Sequence, residues 1–176
     1  MSKRPLTACL LLSCFAVGCG DQPAGEDDLL LHVPSPDWRD EVIYMLFIDR
    51  FDDGDPSNND QGFGEYDPAK ATHFSGGDLQ GVINRVGYLK DLGATAVWIS
   101  PPIANQWWST PYQATGWHGY WASNFKEVDA HFGTLEELQT LVVEAHSRGI
   151  RVLLDFTANH VHDSSPFFAA HQNDGY

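Results

Sequence analysis

The sequence has few cysteines and few basic residues, and both shortages restrict what the protein can do. All three cysteines stand in the first 19 residues, so the remainder of the 176-residue chain has neither disulfides nor thiol chemistry. Lys and Arg number 10 against 24 Asp and Glu, which gives a formal net charge of −14. Because phosphate binding requires clustered Lys and Arg, this balance argues against nucleic acid as a partner.

Residues 1–19 have the features of a bacterial export signal. A basic start at Lys3 precedes an apolar run, Leu6 to Val17, that is too short to span a bilayer. The run ends in a segment that resembles a lipoprotein cleavage box, with Cys19 as the acylated residue. A competing box ends at Cys14, and a plain secretory signal is the other alternative. We therefore expect an exported protein that contacts a membrane only through a lipid on Cys19, or that is otherwise secreted.

Residues 20–37 are an acidic linker rich in Gly and Pro. The sequence pattern after this linker alternates predicted strands with predicted helices. Short apolar runs are separated by segments whose apolar residues recur at helical spacing. This order predicts parallel strands joined by helical crossovers in an α/β protein. Long loops follow the strands, as they do in a (β/α)8 TIM barrel, whose functional site is built from those loops. The predicted strands are 41–48, 95–100 and 150–156, and the predicted helices begin at Asp78 and at the capping box Thr134–Glu137.

A doubly wound sheet is the alternative to the barrel. The turn after the first strand lacks both the G-x-G-x-x-G pattern and the Walker lysine motif, so nucleotide binding has little support. A complete barrel has eight strands and roughly 250 residues. We therefore expect residues 38–160 to form the amino-terminal part of a TIM barrel, about three strand–helix units.

Several loop segments carry side chains with chemical use. Asp53, Asp55, Asn58 and Asn59 offer the hard oxygens that calcium prefers, although the spacing is not that of an EF-hand. An ordinary Asp- and Asn-rich turn remains the alternative.

Two other segments suit sugar recognition or an active-site edge. Gly116–Trp121 combines aromatic rings with a histidine, and such rings can stack on the apolar faces of sugars or simply pack in a core. Asp155–His160 follows the third predicted strand, where a barrel places its active-site groups. A turn capped by the Asp is the alternative for that segment.

Together these segments resemble the α-amylase family of glycoside hydrolases. Asp155–His160 is similar to the family's first signature, in which Asn and His follow an Asp by four and five residues. His118–Trp121 is similar to the segment after the second barrel strand, and Gly76–Pro101 to the run from the first helix through that strand. The resemblance covers about 40–162 in order, and the motifs are nearest to those of bacterial α-amylases and cyclodextrin glucanotransferases.

The resemblance implies retaining hydrolysis or transglycosylation of α-1,4-glucans such as starch or maltooligosaccharides. Tyr120 is then expected to stack on the sugar at the cleavage point, and Trp121 belongs to the same substrate-binding segment. His118 and His160 are expected to form hydrogen bonds to that sugar. Asp155 is expected to support the site from its strand end rather than to attack the sugar.

The resemblance also implies calcium as a cofactor at two places. Asn159 would give an oxygen to a calcium ion between the barrel and an inserted subdomain, which is expected to begin within residues 161–176. A second calcium ion would lie on the loop after the first strand. Its expected ligands are Asp53, Asp55, Asn58, Asn59, Asp78 and the carbonyl oxygen of Gly76.

The family's catalytic carboxylates do not occur in this chain. The resemblance places a nucleophilic Asp after strand four, an acid/base Glu after strand five and another Asp after strand seven. The last residue here, Tyr176, follows the third predicted strand closely. We therefore expect the chain to be an inactive part of a longer enzyme. The alternative is a non-catalytic relative that binds glycans or acts as a scaffold.

Overall fold

A computed structural model describes residues 37–175, in which five strands and four α-helices occur. The predicted leader, its Cys19 and linker residues 20–36 lie outside the described residues. None of the described helices is long and apolar enough to cross a membrane. The strands are β1 (Ile43–Leu46), β2 (Ala96–Ile99), β3 (Ile103–Asn105), β4 (Ala122–Val128) and β5 (Arg151–Leu154), and the helices are α1 (Leu79–Asn84), α2 (Val86–Asp91), α3 (Leu135–Ser147) and α4 (Pro166–His171).

The three predicted strands form one parallel sheet in the order β1–β2–β5. Ile43 pairs with Ala96, which in turn pairs with Arg151, so the strands start at the same level. Their carboxyl ends therefore lie together at one edge of the sheet. This arrangement confirms the predicted parallel strand–helix units.

Helices cover only one face of this sheet. Apolar side chains on that face form a continuous core with residues of α1, α2 and α3. On the other face Ile43, Met45 and Trp98 are between 38% and 47% exposed. The two faces of the sheet therefore differ in burial. The core residues include Leu46, Val97, Ile99, Leu79, Leu89 and Leu141.

Two predictions of secondary structure differ from the fold. The single helix expected after Asp78 is two helices, because Arg85 leaves helical geometry (φ −104°, ψ 5°). Its guanidinium group instead binds the carboxylate of Asp52, with nitrogen–oxygen distances of 2.9 and 3.0 Å. The long loop expected from residue 103 to residue 132 contains the antiparallel pair β3–β4. Asn, Lys and Glu in β4 have little preference for strands, so pairing with β3 decides its conformation.

The predicted capping box is present at the start of α3. Thr134 Oγ1 accepts a hydrogen bond from the backbone N–H of Glu137, and Glu137 Oε2 accepts one from the backbone N–H of Thr134. Two of the backbone donors left unpaired at the start of the helix are thereby satisfied.

A buried cluster of acids and a histidine holds the loop of residues 49–77, which we call the first loop. The two ring nitrogens of His131 each lie 2.8 Å from a carboxylate oxygen, one of Glu65 and one of Asp129. Ionised carboxylates only accept hydrogen bonds, so a ring with two protons and a positive charge satisfies both contacts. The ring also stacks on Phe74, with centroids 3.9 Å apart. This acid–histidine cluster ties the first loop to the turn before α3.

The cluster predicts a pH dependence of stability. Burial lowers the pKa of His131, but its hydrogen bonds and charge contacts with Asp129 and Glu65 outweigh that effect, so its pKa lies above the ordinary value of 6.5. The stabilisation is therefore complete below pH 6.5 and is lost as the pH rises through the raised value. We expect the difference in urea midpoint between wild type and His131→Gln to be largest below pH 6.5 and to shrink above it. A difference that stays constant with pH would contradict a charged ring.

Candidate functional site

Aromatic rings and histidines gather at the carboxyl edge of the parallel sheet. Phe47 directly follows β1, and its ring centroid lies 5.5 Å from that of Trp117 and 6.5 Å from that of Tyr120. The rings of His118 and Tyr120 are stacked with centroids 5.8 Å apart. We call Phe47, Trp117, His118, Tyr120 and Trp121 the aromatic cluster. It lies where a barrel places its functional groups.

Tyr120 joins this cluster to the end of β5. Its hydroxyl donates a hydrogen bond to Asp155 Oδ2, while Asp155 Oδ1 accepts the backbone N–H of Phe156. His160 Nε2 donates to the backbone carbonyl of Tyr120 at 2.9 Å. Burial, and then the contact with Asp155, raises the pKa of Tyr120 to about 12. The hydroxyl is therefore neutral, and its position is set by the carboxylate.

His118 is held as a neutral ring. Its Nδ1 accepts the backbone N–H of Tyr120 at 2.9 Å, so the proton resides on Nε2. Burial lowers the pKa of His118 to about 4, and electrostatic interactions with Arg50 and His160 add to the effect. At neutral pH the side chain thus presents an uncharged N–H donor.

Trp121 contacts the same histidine from another side. Its ring meets the ring of His118 edge-on at a centroid distance of 4.8 Å. The ring of Tyr112 stacks on the ring of Trp121 with centroids 5.7 Å apart. The backbone N–H of Trp121 donates a hydrogen bond to Asn105 Oδ1. The structure therefore brings all four predicted substrate-binding residues, together with Asp155, into one connected group.

The predicted oxygen ligands of the first loop also converge. Asn59 Nδ2 donates to Asp53 Oδ2 at 2.8 Å, and Asn58 Nδ2 lies 3.3 Å from Asp78 Oδ2. Gly76 has a positive φ of 94°, and a Cβ there would stand 2.8 Å from the Asn59 amide, so only glycine fits. The amide oxygens of Asn58 and Asn59 are buried and have no hydrogen-bond partner. Such oxygens suit a bound cation, because leaving them unpaired costs about 1–3 kcal/mol each.

The remaining predicted ligands differ in their placement. The backbone N–H of Asp55 donates to Asp78 Oδ2 at 2.7 Å, while its carboxylate accepts from the Ser57 backbone and hydroxyl. Asn159 is exposed at an open groove that Phe125 also lines, away from the first loop. Within residues 37–175, no group of three or more His, Cys, Asp or Glu side chains is placed to hold a metal ion. A cation in the first loop would therefore depend on amide and carbonyl oxygens as well.

Sequence reasoning assigned no function to one pair of residues at this site. Asp49 and Arg50 directly follow Ile48 after β1, and the Arg50 Nε lies 2.9 Å from the Asp49 carboxylate. Burial raises the pKa of Asp49 to about 6, although hydrogen bonds from the backbone of Ser75 and Gly76 and the charge of Arg50 oppose the rise. The family resemblance included Asp49 and Arg50 in the segment of the first strand but gave neither residue a role.

The sequence-family model of the α-amylase catalytic domain matches residues 45–175, which is most of the chain. The chain belongs to the α-amylase family. The family resemblance drawn from the motifs is thereby confirmed, and the parallel units described above are the amino-terminal part of a TIM barrel.

Relatives of this α-amylase-family chain include both transferases and hydrolases. The cyclomaltodextrin glucanotransferase of Klebsiella oxytoca is 43% identical over 143 residues, covering 78% of this chain and 22% of that protein. The crystal structure of an Anoxybacillus α-amylase has a TM-score of 0.68 at 38% identity, covering 78% of this chain and 28% of that one. The cyclic α-maltosyl-(1→6)-maltose hydrolase of Arthrobacter globiformis has a TM-score of 0.65 at 34% identity, covering 81% of this chain and 31% of that one. The chain spans 18–22% of the length of the curated relatives.

Proposed function

We propose that this chain belongs to a protein that hydrolyses or transfers α-1,4-linked glucans with retention, and that the aromatic cluster binds the sugar beside the cleaved bond. The main support is the connected arrangement of Tyr120, His118, His160 and Asp155 at the carboxyl edge of a family barrel. The relatives named above are glucanotransferases, amylases and a maltosyl-maltose hydrolase, so the proposal covers both hydrolysis and transfer. Starch and maltooligosaccharides are the proposed substrates.

Each residue of the cluster has a role that its contacts support. The ring of Tyr120 offers a flat apolar face to a sugar, since Asp155 fixes its hydroxyl end. His118 Nε2–H is a neutral donor for a sugar hydroxyl. His160 lies beside it and is proposed to bind the same sugar. Trp121 supports the ring of His118 from the side.

We further propose that the nucleophile and the acid/base are residues of the full-length protein other than those in this chain. Retaining glycosidases need two carboxyl groups about 5–5.5 Å apart, one of them free to attack the sugar. Asp155 stands at the correct edge of the sheet, but both of its oxygens accept hydrogen bonds within the chain. A positioning role therefore suits it better than attack. Without those carboxyl groups, the chain by itself is proposed to be inactive.

Substitutions of Tyr120 test the sugar-binding role in the full-length protein. Tyr120→Ala removes the stacking face and should raise KM for maltoheptaose roughly tenfold, equivalent to about 1.4 kcal/mol. Tyr120→Phe keeps the face and should have a smaller effect. Tyr88→Ala on α2 is the control, because that tyrosine is exposed. Reducing-sugar release and cyclodextrin formation would be measured together.

The same assay separates the enzyme from a non-catalytic relative. If the full-length wild type binds maltoheptaose but neither cleaves nor transfers it, a glycan-binding or scaffold role replaces catalysis. If Tyr120→Ala leaves both binding and turnover unchanged, the aromatic cluster is not the sugar site.

Calcium is the proposed cation of the first loop. Asp53, Asn58, Asn59, Asp78 and the carbonyl of Gly76 would supply its oxygens, and Asp55 lies beside them. The buried, unpaired amide oxygens support this assignment. When bound, calcium would supply a fixed positive charge that holds the loop in one shape. Asn159 is proposed to serve a different calcium ion, at the junction with the segment from residue 161 onward.

Removing one carboxylate tests the calcium proposal. We expect Asp53→Asn to raise the calcium Kd by at least about tenfold, because a negatively charged ligand is lost. Asp60→Asn is the matched control, since its exposed carboxylate accepts the backbone N–H groups of Gly62 and Gly64 and is not among the proposed calcium ligands. Calorimetric titration of the chelator-treated protein measures both values. Equal losses in the two variants would show that general loop charge, rather than the Asp53 ligand, governs affinity.

Export with a lipid on Cys19 is the proposed location. The basic start and short apolar run of residues 1–19 support it, and these residues lie outside the described part of the chain. Labelling with a palmitate analogue in a bacterial host should mark the wild type and not Cys19→Ser. Loss of the label in Cys14→Ser alone would show that the lipid is on Cys14. Absence of the label from the wild type and from both variants would indicate a plain secretory signal.

A further inference from the structure

The first loop and the aromatic cluster meet at the side chain of Arg50. Its Nη1 donates to Ser75 Oγ at 2.6 Å, and its Nη2 donates to the carbonyl oxygens of Ala71 and His73 at 2.9 and 2.8 Å. Its Nε faces the carboxylate of Asp49. Every nitrogen of the guanidinium group thus contacts either that buried acid or the carboxyl-terminal part of the first loop.

The flat side of the same group faces the aromatic cluster. The guanidinium carbon lies 3.9 Å from the ring centroid of Trp117, a distance typical of a cation–π contact. Trp117 precedes His118 in the chain, and their ring centroids are 5.5 Å apart. The charge of Arg50 also helps burial to keep His118 neutral. The position of Arg50 therefore affects both the placement and the charge of His118, which is proposed to bind the sugar.

The other end of this connection is the proposed cation site. Gly76, whose backbone lies against the amide of Asn59, directly follows Ser75. The backbone N–H groups of Ser75 and Gly76 both donate to the Asp49 carboxylate, at 2.9 and 3.3 Å. A ligand that fixes the backbone at Gly76 also fixes the groups that hold Arg50.

We propose that Arg50 is a positioning residue that couples cation binding in the first loop to glucan binding at the aromatic cluster. The inference rests on the function proposed above. Occupation of the loop by calcium orders the contacts of Arg50, which in turn hold Trp117 and His118 in their binding arrangement. Because coupling between two binding equilibria is reciprocal, glucan also increases calcium affinity by the same factor.

The chemistry of this position requires arginine. A planar fork can donate to several acceptors at its edge while its face lies on an indole ring, and an ammonium group cannot do both. Arg50→Lys therefore keeps the charge but loses the connection. Arg85 provides a matched control, because it also binds a carboxylate of the first loop, that of Asp52, and its side chain is 56% exposed.

The test is a linkage measurement on the full-length protein with a thio-linked maltotetraose, which resists cleavage. Calorimetry gives its Kd in saturating calcium chloride and in EGTA for wild type, Arg50→Lys, Arg50→Met and Arg85→Met. We expect calcium to tighten binding at least about fivefold in wild type and in Arg85→Met. In both Arg50 variants that ratio should fall close to one. A calcium titration with and without the sugar should return the same factor.

The outcomes separate this inference from the function on which it rests. If wild type binds calcium and the thio-sugar independently, the coupling is refuted while the proposed function stands, and no variant is needed to reach that result. If coupling persists in a folded Arg50→Met, another path carries it and Arg50 is not its positioning residue. If wild type binds neither ligand, the proposed function fails and this inference fails with it.

Discussion

The shape of the first loop depends on carboxylates that are buried and bonded to backbone N–H groups. Asp49, Glu65 and Asp78 are each at most 2% exposed, and each accepts hydrogen bonds from the loop or from the start of α1. Removing a charge from water is costly unless such partners replace the lost solvation. A long segment with little regular structure therefore adopts one conformation around its acids. The proposed cation site and the contacts of Arg50 both depend on that conformation.

This organisation gives the acidic composition a structural meaning. Part of the negative charge lies inside the molecule, where it is balanced by His131, by Arg50 and by backbone dipoles. The aromatic cluster, in contrast, is built from uncharged groups, with His118 neutral and Tyr120 protonated. The proposed sugar site and the proposed cation site are thus adjacent regions of different character, one aromatic and one rich in oxygen. Arg50 stands at their boundary.

Features set by local sequence could be predicted, whereas those set by distant partners could not. The apolar runs and the capping box of Thr134 depend on neighbouring residues, and the structure has both. The motifs also located the aromatic cluster and the oxygen-rich loop. The β3–β4 pair and the contact between Glu65 and His131, 66 residues apart, depend on how the chain folds back. The break at Arg85 likewise coincides with its contact with Asp52, 33 residues away, which no helical pattern records.

The strand order has a consequence for how the chain acquires its shape. Because β2 pairs with β1 and β5 pairs with β2, each later strand of the sheet can dock on a strand that precedes it in the chain. Helix α3 then closes one side, while Ile43, Met45 and Trp98 remain open to solvent. Exposed apolar surface of this kind promotes association between copies during folding. The net negative charge of the chain opposes that association. We therefore expect the acidic composition to limit association between copies while the protein folds.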